Sequence, residues 1–130
     1  MFELKIKIDF PAGHNLVGYE GDCARPHGHN WELELFVRSR GLDKVGMAVD
    51  FRLMKKAAKE LVSRWDHQNL NELEEFRHLN PTAENLAKIA FERLSTQINA
   101  PSDAGPWVDR VTVWENPRCS ATYMGEVGRG

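Results

Sequence analysis

The stretch FELKIKID, residues 2–9, decides the fold class, because its apolar and charged residues alternate without a break. Successive side chains of an extended chain point to opposite faces, so this alternation predicts a strand with one buried face and one polar face. Residues 31–38, WELELFVR, largely repeat the pattern. Two half-buried strands of this kind indicate an antiparallel sheet, which must bury its apolar face against another layer.

Two helices are predicted after these strands, and they can supply that layer. Apolar residues recur at helical spacing over residues 51–65, and Asp50 is placed to cap this helix. A second apolar face runs over residues 86–94, behind Thr82 as a good N-cap. The helices are therefore expected to pack side by side on one face of the sheet.

Residues 107–115 and 119–125 are predicted to form two further strands, joined by a tight connection. The order ββααββ predicts a single α+β domain over residues 1–130, with two helices on one face of a four-stranded antiparallel sheet. The other face of such a sheet needs a partner. Four tryptophans in a chain of 130 residues also fit an interface or a filled barrel, so both features predict a homo-oligomer.

Composition and charge narrow the class of protein. Seventeen Lys and Arg against nineteen Asp and Glu leave a net charge of -2, which argues against a nucleic-acid partner. The sequence has no apolar run of the ~18 residues that would span a membrane, and its alternating N-terminus is unlike a signal peptide. Two cysteines are too few for a disulfide framework, so the cytoplasm is the expected compartment.

Three histidines carry the clearest chemical signal. His27 and His29 form an H-x-H pair, and on an extended segment both imidazoles point the same way and can meet one ion. His14 lies just past the first strand, in a loop predicted over residues 12–26, and could close a three-histidine face. Three neutral imidazoles with an open fourth position form a catalytic zinc site. An H-x-H pair also arises by chance, so the pair alone indicates a metal only weakly.

Cys23 lies four residues before His27, and three interpretations of its thiol stay open. As a fourth zinc ligand it would close the site and make it structural. As a free thiolate beside zinc and Arg25 it would act as a base or a nucleophile. As a small apolar side chain it would be buried, which is the interpretation that we favour for Cys119.

Two further parts of the sequence carry titratable side chains whose function the sequence does not decide. Asp66 and His67 are neighbours at the end of the first predicted helix, where the helix dipole would stabilise a charged imidazole. Alternatively, the carboxylate could prepare the imidazole for proton transfer. Glu115 shares a strand face with two valines, so its carboxylate lies either at an exposed edge or in a pocket. In a pocket it could bind a ligand that offers two adjacent N–H groups.

Six motifs together resemble the 6-pyruvoyl-tetrahydropterin synthase and 6-carboxy-tetrahydropterin synthase family. They follow the family's order along nearly the whole chain: FPAGH at 10–14, CARPHGHN at 23–30, GMAVDF at 46–51, DHQNLN at 66–71, NPTAEN at 80–85, and Glu115. The three residues between the cysteine and HGH are similar to the carboxy branch, since the pyruvoyl branch usually has a longer gap. One departure is Asn116, which stands where threonine is common.

The resemblance implies the tunnelling fold, in which three subunits close a twelve-stranded barrel and two trimers stack as a homohexamer. Closure of the barrel would remove the exposed strand edges. The resemblance also implies that zinc is the cofactor and that its ligands are His14, His27 and His29.

The remaining site residues receive their roles from the same resemblance. It makes Cys23 the proton-abstracting base, assisted by the pair Asp66 and His67. It makes Glu115 the anchor of the pterin ring. Family sites are assembled between subunits, which would explain how residues far apart in sequence serve one reaction.

The implied activity is that of a zinc-dependent 6-carboxy-5,6,7,8-tetrahydropterin synthase. Such an enzyme converts 7,8-dihydroneopterin triphosphate and water to 6-carboxytetrahydropterin, acetaldehyde and triphosphate, an early step towards queuosine. One alternative is a 6-pyruvoyl-tetrahydropterin synthase, which eliminates triphosphate from the same substrate. An alternative of another class is a non-enzymatic, oligomeric zinc-binding module in which Cys23 is a ligand. The expected partners are the pterin triphosphate and further copies of the chain, with neither nucleic acid nor membrane.

Overall fold

Four strands form one antiparallel sheet in the order β1-β2-β3-β4, and the strands and α-helices follow one another along the chain in the predicted order ββααββ. The structure is a computed structural model, and it describes residues 1–126. The main elements are β1 (Phe2–His14), β2 (His27–Ser39), α1 (Phe51–Val62), α2 (Ala83–Ile98), β3 (Trp107–Asn116) and β4 (Cys119–Tyr123). Short 3-10 turns lie at Asp22–Ala24, Leu70–Glu72 and Glu74–Phe76.

The first two strands are longer than their alternation predicted. β1 continues through Pro11 and Gly13 to His14, and these residues pair in register with the start of β2. The prediction of a loop from residue 12 was therefore wrong for residues 12–14. Proline is tolerated here because β1 is an edge strand of the described sheet, where one row of backbone groups has no strand to pair with. At Gly13 a Cβ atom would lie 3.3 Å from the carbonyl oxygen of His27, so a small residue suits this close pairing.

Both predicted helix caps are confirmed. The Asp50 side chain accepts a hydrogen bond from the backbone N–H of Arg52 at 2.8 Å, and Thr82 Oγ1 accepts one from the N–H of Asn85 at 3.1 Å. Helix α1 ends at Val62, three residues before the apolar spacing does. The last apolar position, Trp65, is fully buried in the turn that follows.

The core lies between the helices and one face of the sheet. Fully buried members come from the sheet (Trp31, Leu33, Leu35, Val37, Val111, Val113), from the helices (Met54, Ala58, Leu86, Ala87, Ala90, Leu94) and from the turns after α1 (Trp65, Leu70). Burying such side chains contributes about 1.5–3 kcal/mol for each large apolar one. No helix among residues 1–126 is long and apolar enough to cross a membrane.

The opposite face of the sheet carries ion pairs instead of helices. Lys5 pairs with Glu34 and Lys7 with Glu32, both at 3.4 Å across β1 and β2. The two layers of the chain thus leave a polar sheet face outside the core, as the sequence predicted. One prediction about β4 was wrong: Cys119 at its start is exposed and not buried.

Candidate metal centre and active site

The paired ends of β1 and β2 bring three histidines together. His14 lies directly opposite His27 across the two strands, and His29 lies opposite Ala12. The ring centroids are separated by 4.5 Å for His14 and His27, 5.0 Å for His14 and His29, and 4.8 Å for His27 and His29. The structure therefore gathers the three predicted ligands on one face of the sheet. The pairing of β1 with β2 places His14 beside the other two histidines. The spacing of the three residues along the sequence does not by itself predict this.

Two of these imidazoles are oriented by backbone carbonyl groups. Nδ1 of His14 lies 2.7 Å from the carbonyl oxygen of Pro81, and Nδ1 of His27 lies 2.7 Å from that of Arg25. A carbonyl oxygen can only accept a hydrogen bond, so Nδ1 carries the proton and donates it. In the neutral ring Nε2 then keeps a free lone pair, which is the state of a metal-ligating histidine supported by an outer hydrogen bond.

The free ring nitrogens at the centre of the cluster are buried. Nε2 of His14 and Nε2 of His29 have no hydrogen-bond partner among the described residues. Burial lowers the pKa of both imidazoles, which favours their neutral form, although the Pro81 carbonyl opposes this at His14 and the charge of Glu115 opposes it at both. A buried, unpaired lone pair is costly, and a bound cation would remove that cost.

Glu115 joins the three histidines as a fourth group. Its Oε1 atom lies 3.3 Å from Nε2 of His14 and 3.5 Å from Nε2 of His29. One potential ligand atom from each of these four residues lies within 4.8 Å of the others. Three imidazoles and a carboxylate suit a divalent metal such as zinc. The position of Glu115 beside the histidines is not predictable from the sequence alone, because it depends on the register of β3 against β2.

Cys23 does not belong to this group of potential ligands within residues 1–126. It lies in the 3-10 turn Asp22–Ala24, its thiol is unpaired, and its side chain is exposed. Burial in the core, one of the three interpretations of Cys23, is therefore wrong. Among the described residues, the carboxylate of Glu115 and not the thiol of Cys23 lies next to the histidines, which weakens the interpretation of Cys23 as a structural ligand.

Asp66 and His67 form a close pair at the turn after α1. Oδ1 of Asp66 lies 2.8 Å from Nδ1 of His67, and both side chains are largely exposed. The backbone N–H of His67 donates to the carbonyl oxygen of Pro11 at 2.7 Å, and the N–H of Gly13 donates to that of Gln68 at 2.9 Å. These bonds fasten the turn to the end of β1. His67 has a φ of 58°, in the left-handed region that residues other than glycine seldom adopt.

An open cleft of about 560 Å³ lies beside the three histidines. Its lining includes the three histidines, Pro26 from the end of the Cys23 loop, and His67. Of the seven predicted site residues, the structure brings His14, His27, His29 and Glu115 into one cluster and places His67 on the same cleft. Cys23 and Asp66 do not line the cleft, although Pro26 of the same loop and His67 of the same turn do.

An α+β fold in which three imidazoles line one cleft and a carboxylate lies against two of them defines a candidate metalloenzyme. The chain belongs to the 6-pyruvoyl tetrahydropterin synthase family, whose model matches residues 3–126. Together with the relatives described next, this identifies it as a lyase of the tetrahydropterin synthase type.

Two relatives of similar length resemble this chain in sequence, and a solved structure resembles it in fold. The chain is 30% identical over 136 residues to the 6-carboxy-5,6,7,8-tetrahydropterin synthase of Rickettsia felis, covering 92% of this chain and 97% of the relative. It is 29% identical over 132 residues to the enzyme of the same name from Bacillus subtilis, covering 98% and 88%. The solved structure of Caenorhabditis elegans 6-pyruvoyl tetrahydropterin synthase superposes with a TM-score of 0.84 at 28% identity, covering 96% of each chain.

Proposed function

We propose that the chain is a zinc-dependent 6-carboxy-5,6,7,8-tetrahydropterin synthase. Its substrates are 7,8-dihydroneopterin triphosphate and water, and its products are 6-carboxytetrahydropterin, acetaldehyde and triphosphate. The observation that supports this most strongly is the cluster of three imidazoles, two with buried and unpaired Nε2 atoms, on a cleft that His67 also lines. The relatives from Rickettsia felis and Bacillus subtilis, which bear this enzyme name, support the same choice.

In this proposal His14, His27 and His29 hold the zinc ion through their Nε2 atoms. The Nδ1–H bonds of His14 and His27 to backbone carbonyls support it, because they keep the rings in the ligating tautomer. When bound, zinc supplies Lewis-acid polarisation of the substrate's side-chain oxygens, which acidifies the neighbouring C–H bond. The histidines themselves take no proton in the reaction.

The proton transfers are assigned to residues beside the metal. Cys23 removes the acidified proton, and its exposed, unpaired thiol is available for this task. His67 returns a proton elsewhere on the substrate. Asp66 holds Nδ1 of His67 at 2.8 Å, which leaves Nε2 as the ring nitrogen free to exchange a proton with the substrate.

Glu115 is assigned to the pterin ring. Its carboxylate can accept hydrogen bonds from the 2-amino group and the N3–H of the pterin at the same time. The side chain is 32% exposed, which leaves it open to a ligand. Because this contact orients the ring and moves no proton, its loss would weaken binding and alignment.

Three further features complete the proposal. The carboxy product fits the three residues between Cys23 and His27, and it places the enzyme on the route to queuosine. The polar face of the sheet and its edge strands β1 and β4 fit a trimeric barrel, with two trimers stacked as a hexamer. Two unpaired thiols fit a reducing compartment, and we propose the cytoplasm.

Mass-resolved product analysis tests this function. Zinc-loaded protein is mixed with 7,8-dihydroneopterin triphosphate, and the pterin products and acetaldehyde are quantified together. The proposal predicts 6-carboxytetrahydropterin with one equivalent of acetaldehyde. Pyruvoyl-tetrahydropterin without acetaldehyde would overturn the carboxy assignment in favour of the pyruvoyl enzyme. Zinc-bound protein without turnover would favour a non-enzymatic binding module instead.

A further inference from the structure

Two asparagine side chains fasten the loop that carries Cys23. Oδ1 of Asn71 accepts the N–H of Asn15 at 2.8 Å, while Nδ2 of Asn71 donates to the carbonyl oxygen of Asn15 at 2.9 Å. Asn80 binds both backbone groups of Val17 in the same way, with two hydrogen bonds of 2.9 Å. Each amide therefore pairs with its loop residue much as a neighbouring strand would. We call these two asparagines the loop clamp.

The clamp is connected to Cys23 through Leu16, which lies between the two residues that the clamp binds, Asn15 and Val17. The N–H of Leu16 donates to the carbonyl oxygen of Cys23 at 2.8 Å, so the turn with the thiol is tied to residues 15–17. Residues 17–23 are all exposed. Because little burial holds this stretch in place, hydrogen bonds must determine where it lies.

The clamp is also connected to the metal group. The carbonyl oxygen of Pro81, the residue after Asn80, accepts the Nδ1–H of His14. Nδ2 of Asn85 donates to the carbonyl oxygen of Asn80 at 2.8 Å, and its backbone N–H binds Thr82 Oγ1 at 3.1 Å. The first turn of α2 thus holds Asn80 and Pro81 in place. Pro81 orients the proposed metal ligand His14, and Asn80 holds the Cys23 loop.

We propose that Asn71 and Asn80 are positioning residues that hold Cys23 in register with the metal group. The inference rests on the proposed function, in which Cys23 is the proton-abstracting base. A reacting group misplaced by about 1 Å can cost on the order of 100-fold in rate. The clamp touches neither substrate nor metal in this account, so it acts only through the position of the loop.

Three variants test the proposal in a Cys119→Ser background, in which Cys23 is the sole thiol. Asn71→Ala and Asn80→Ala each remove one arm of the clamp. Asn99→Ala is the matched control, because Oδ1 of Asn99 also accepts a backbone N–H, that of Val108, at 2.7 Å. Asn99 follows the last residue of α2, about 24 Å along the helix from the clamp at 1.5 Å per residue.

The first readout combines kinetics, metal content and hydrogen exchange. Both clamp variants are expected to lose about tenfold or more in kcat with KM changed less than about threefold, while zinc content stays at the parent level. The amides of Asn15 and Val17 are expected to exchange faster than in the parent. The Asn99→Ala variant is expected to match the parent in all of these quantities. Clamp variants with faster exchange but parental kcat would overturn the proposal, because the role would then be structural only.

The second readout needs no turnover. The alkylation rate of Cys23 is measured with zinc bound and after zinc removal. A thiol held beside the metal group is expected to react at different rates in the two states, and this difference should vanish in both clamp variants but persist in Asn99→Ala. Clamp variants that keep the zinc-dependent difference would contradict the proposal. If the parent shows that difference but no turnover, the proposed function fails while the clamp's role is still tested.

An isosteric variant keeps the test possible if the alanine variants fail to fold. Asn80→Asp keeps an oxygen for the N–H of Val17 but has no donor for its carbonyl oxygen. It is expected to give kcat and zinc-dependent alkylation between those of the parent and Asn80→Ala. A folded Asn80→Asp protein that equals the parent in both quantities would contradict the proposal.

Discussion

At the scale of single residues, the imidazoles of His14 and His29 have the properties that a metal ligand requires. Each has a buried Nε2 atom without a hydrogen-bond partner among the described residues, and burial lowers the pKa of each ring. The lowered pKa keeps the rings neutral at pH values where an ordinary histidine would begin to protonate. Metal binding is therefore favoured by the protein before any metal arrives.

Replacement of one ligand should abolish metal binding. We expect His29→Ala to reduce bound zinc from about one ion per chain to below about 0.1, since two imidazoles bind far more weakly than three. His78→Ala is the control, because His78 is exposed and outside the metal group. Metal content after dialysis, measured by elemental analysis, provides the test. An His29→Ala protein that keeps a full zinc complement would contradict the three-histidine assignment.

His67 has a left-handed backbone conformation and a proposed role in proton transfer. A suitable substitution can test the proton transfer while keeping the backbone conformation. Asparagine tolerates a left-handed φ better than most residues, so His67→Asn should fold with little loss of stability. It should nevertheless lower kcat by about 10²-fold, because general acid–base groups contribute at least that much. His78→Asn is the control and should leave kcat unchanged. A His67→Asn enzyme within about threefold of the parent would exclude His67 as a proton donor.

The sequence predicted these residues unequally well. The H-x-H spacing indicated His27 and His29 as a pair, because alternation along an extended chain depends only on local geometry. The positions of His14 and Glu115 depend on the pairing of separate strands, which no local pattern reveals. The place of His14 just past the first strand suggested that it could close the site, and the resemblance to a family made it a ligand, but neither route predicted that the Glu115 carboxylate lies against the histidines.

At the scale of elements, a buried carboxylate joins the turn after α1 to α2. Glu75 is only 7% exposed and accepts hydrogen bonds from Arg64, at 2.9 and 3.2 Å, and from Nε1 of Trp65 at 3.2 Å. Arg93 of α2 approaches it at 3.4 Å. The hydrogen bonds from Arg64 are the main reason that the pKa of Glu75 is lowered to about 2. Two members of the network, Arg64 and Trp65, lie in the same turn as His67.

This network makes a testable contribution to stability. A carboxyl group whose folded pKa is lowered stabilises the fold above its unfolded pKa near 4.5 and loses that effect as the pH falls towards 2. Glu75→Gln should therefore lower the free energy of unfolding by about 2 to 3 kcal/mol at pH 7. The deficit should shrink steadily between pH 4.5 and pH 2 in denaturant titrations.

The neighbouring residue supplies the control for this prediction. Glu74 pairs with Arg77 at 3.0 Å, but its side chain is 75% exposed. An exposed pair of this kind contributes little, so Glu74→Gln should change stability by less than about 1 kcal/mol. Equal effects of the two substitutions would show that burial of Glu75 is not the cause.

Features of the helices that depend only on neighbouring residues were predicted well from the sequence. Asp50 and Thr82 cap their helices as expected, because a capping side chain needs only the next two or three backbone N–H groups. The strand ends were predicted less well. Ala12 and Gly13 fell within the predicted loop, but pairing with β2 holds them in strand geometry.

At the scale of the whole molecule, the sheet of one chain is incomplete by itself. The strands β1 and β4 are its edges, and the face without helices carries ion pairs rather than a second layer. Closure of three such sheets into a barrel would pair those edges. The sequence predicted this need from the order of its elements, while the number of subunits came only from the resemblance.

The assembly can be tested by its mass in solution. For a chain of 14.8 kDa, light scattering after size exclusion should give about 44 kDa for a trimer or about 89 kDa for a hexamer. The hexamer is the predicted state at micromolar concentration. A mass near that of one chain, with zinc bound and turnover intact, would contradict the proposed barrel.

The central claim is that the three histidines hold the metal while Cys23 performs the chemistry. The most direct test measures zinc content and turnover of 7,8-dihydroneopterin triphosphate on the same preparation of Cys23→Ala. We predict about one zinc ion per chain, as in the unaltered protein, with turnover reduced by at least about 10²-fold. Loss of zinc would make Cys23 a ligand, and unchanged turnover would remove it from the reaction; either result would contradict the claim.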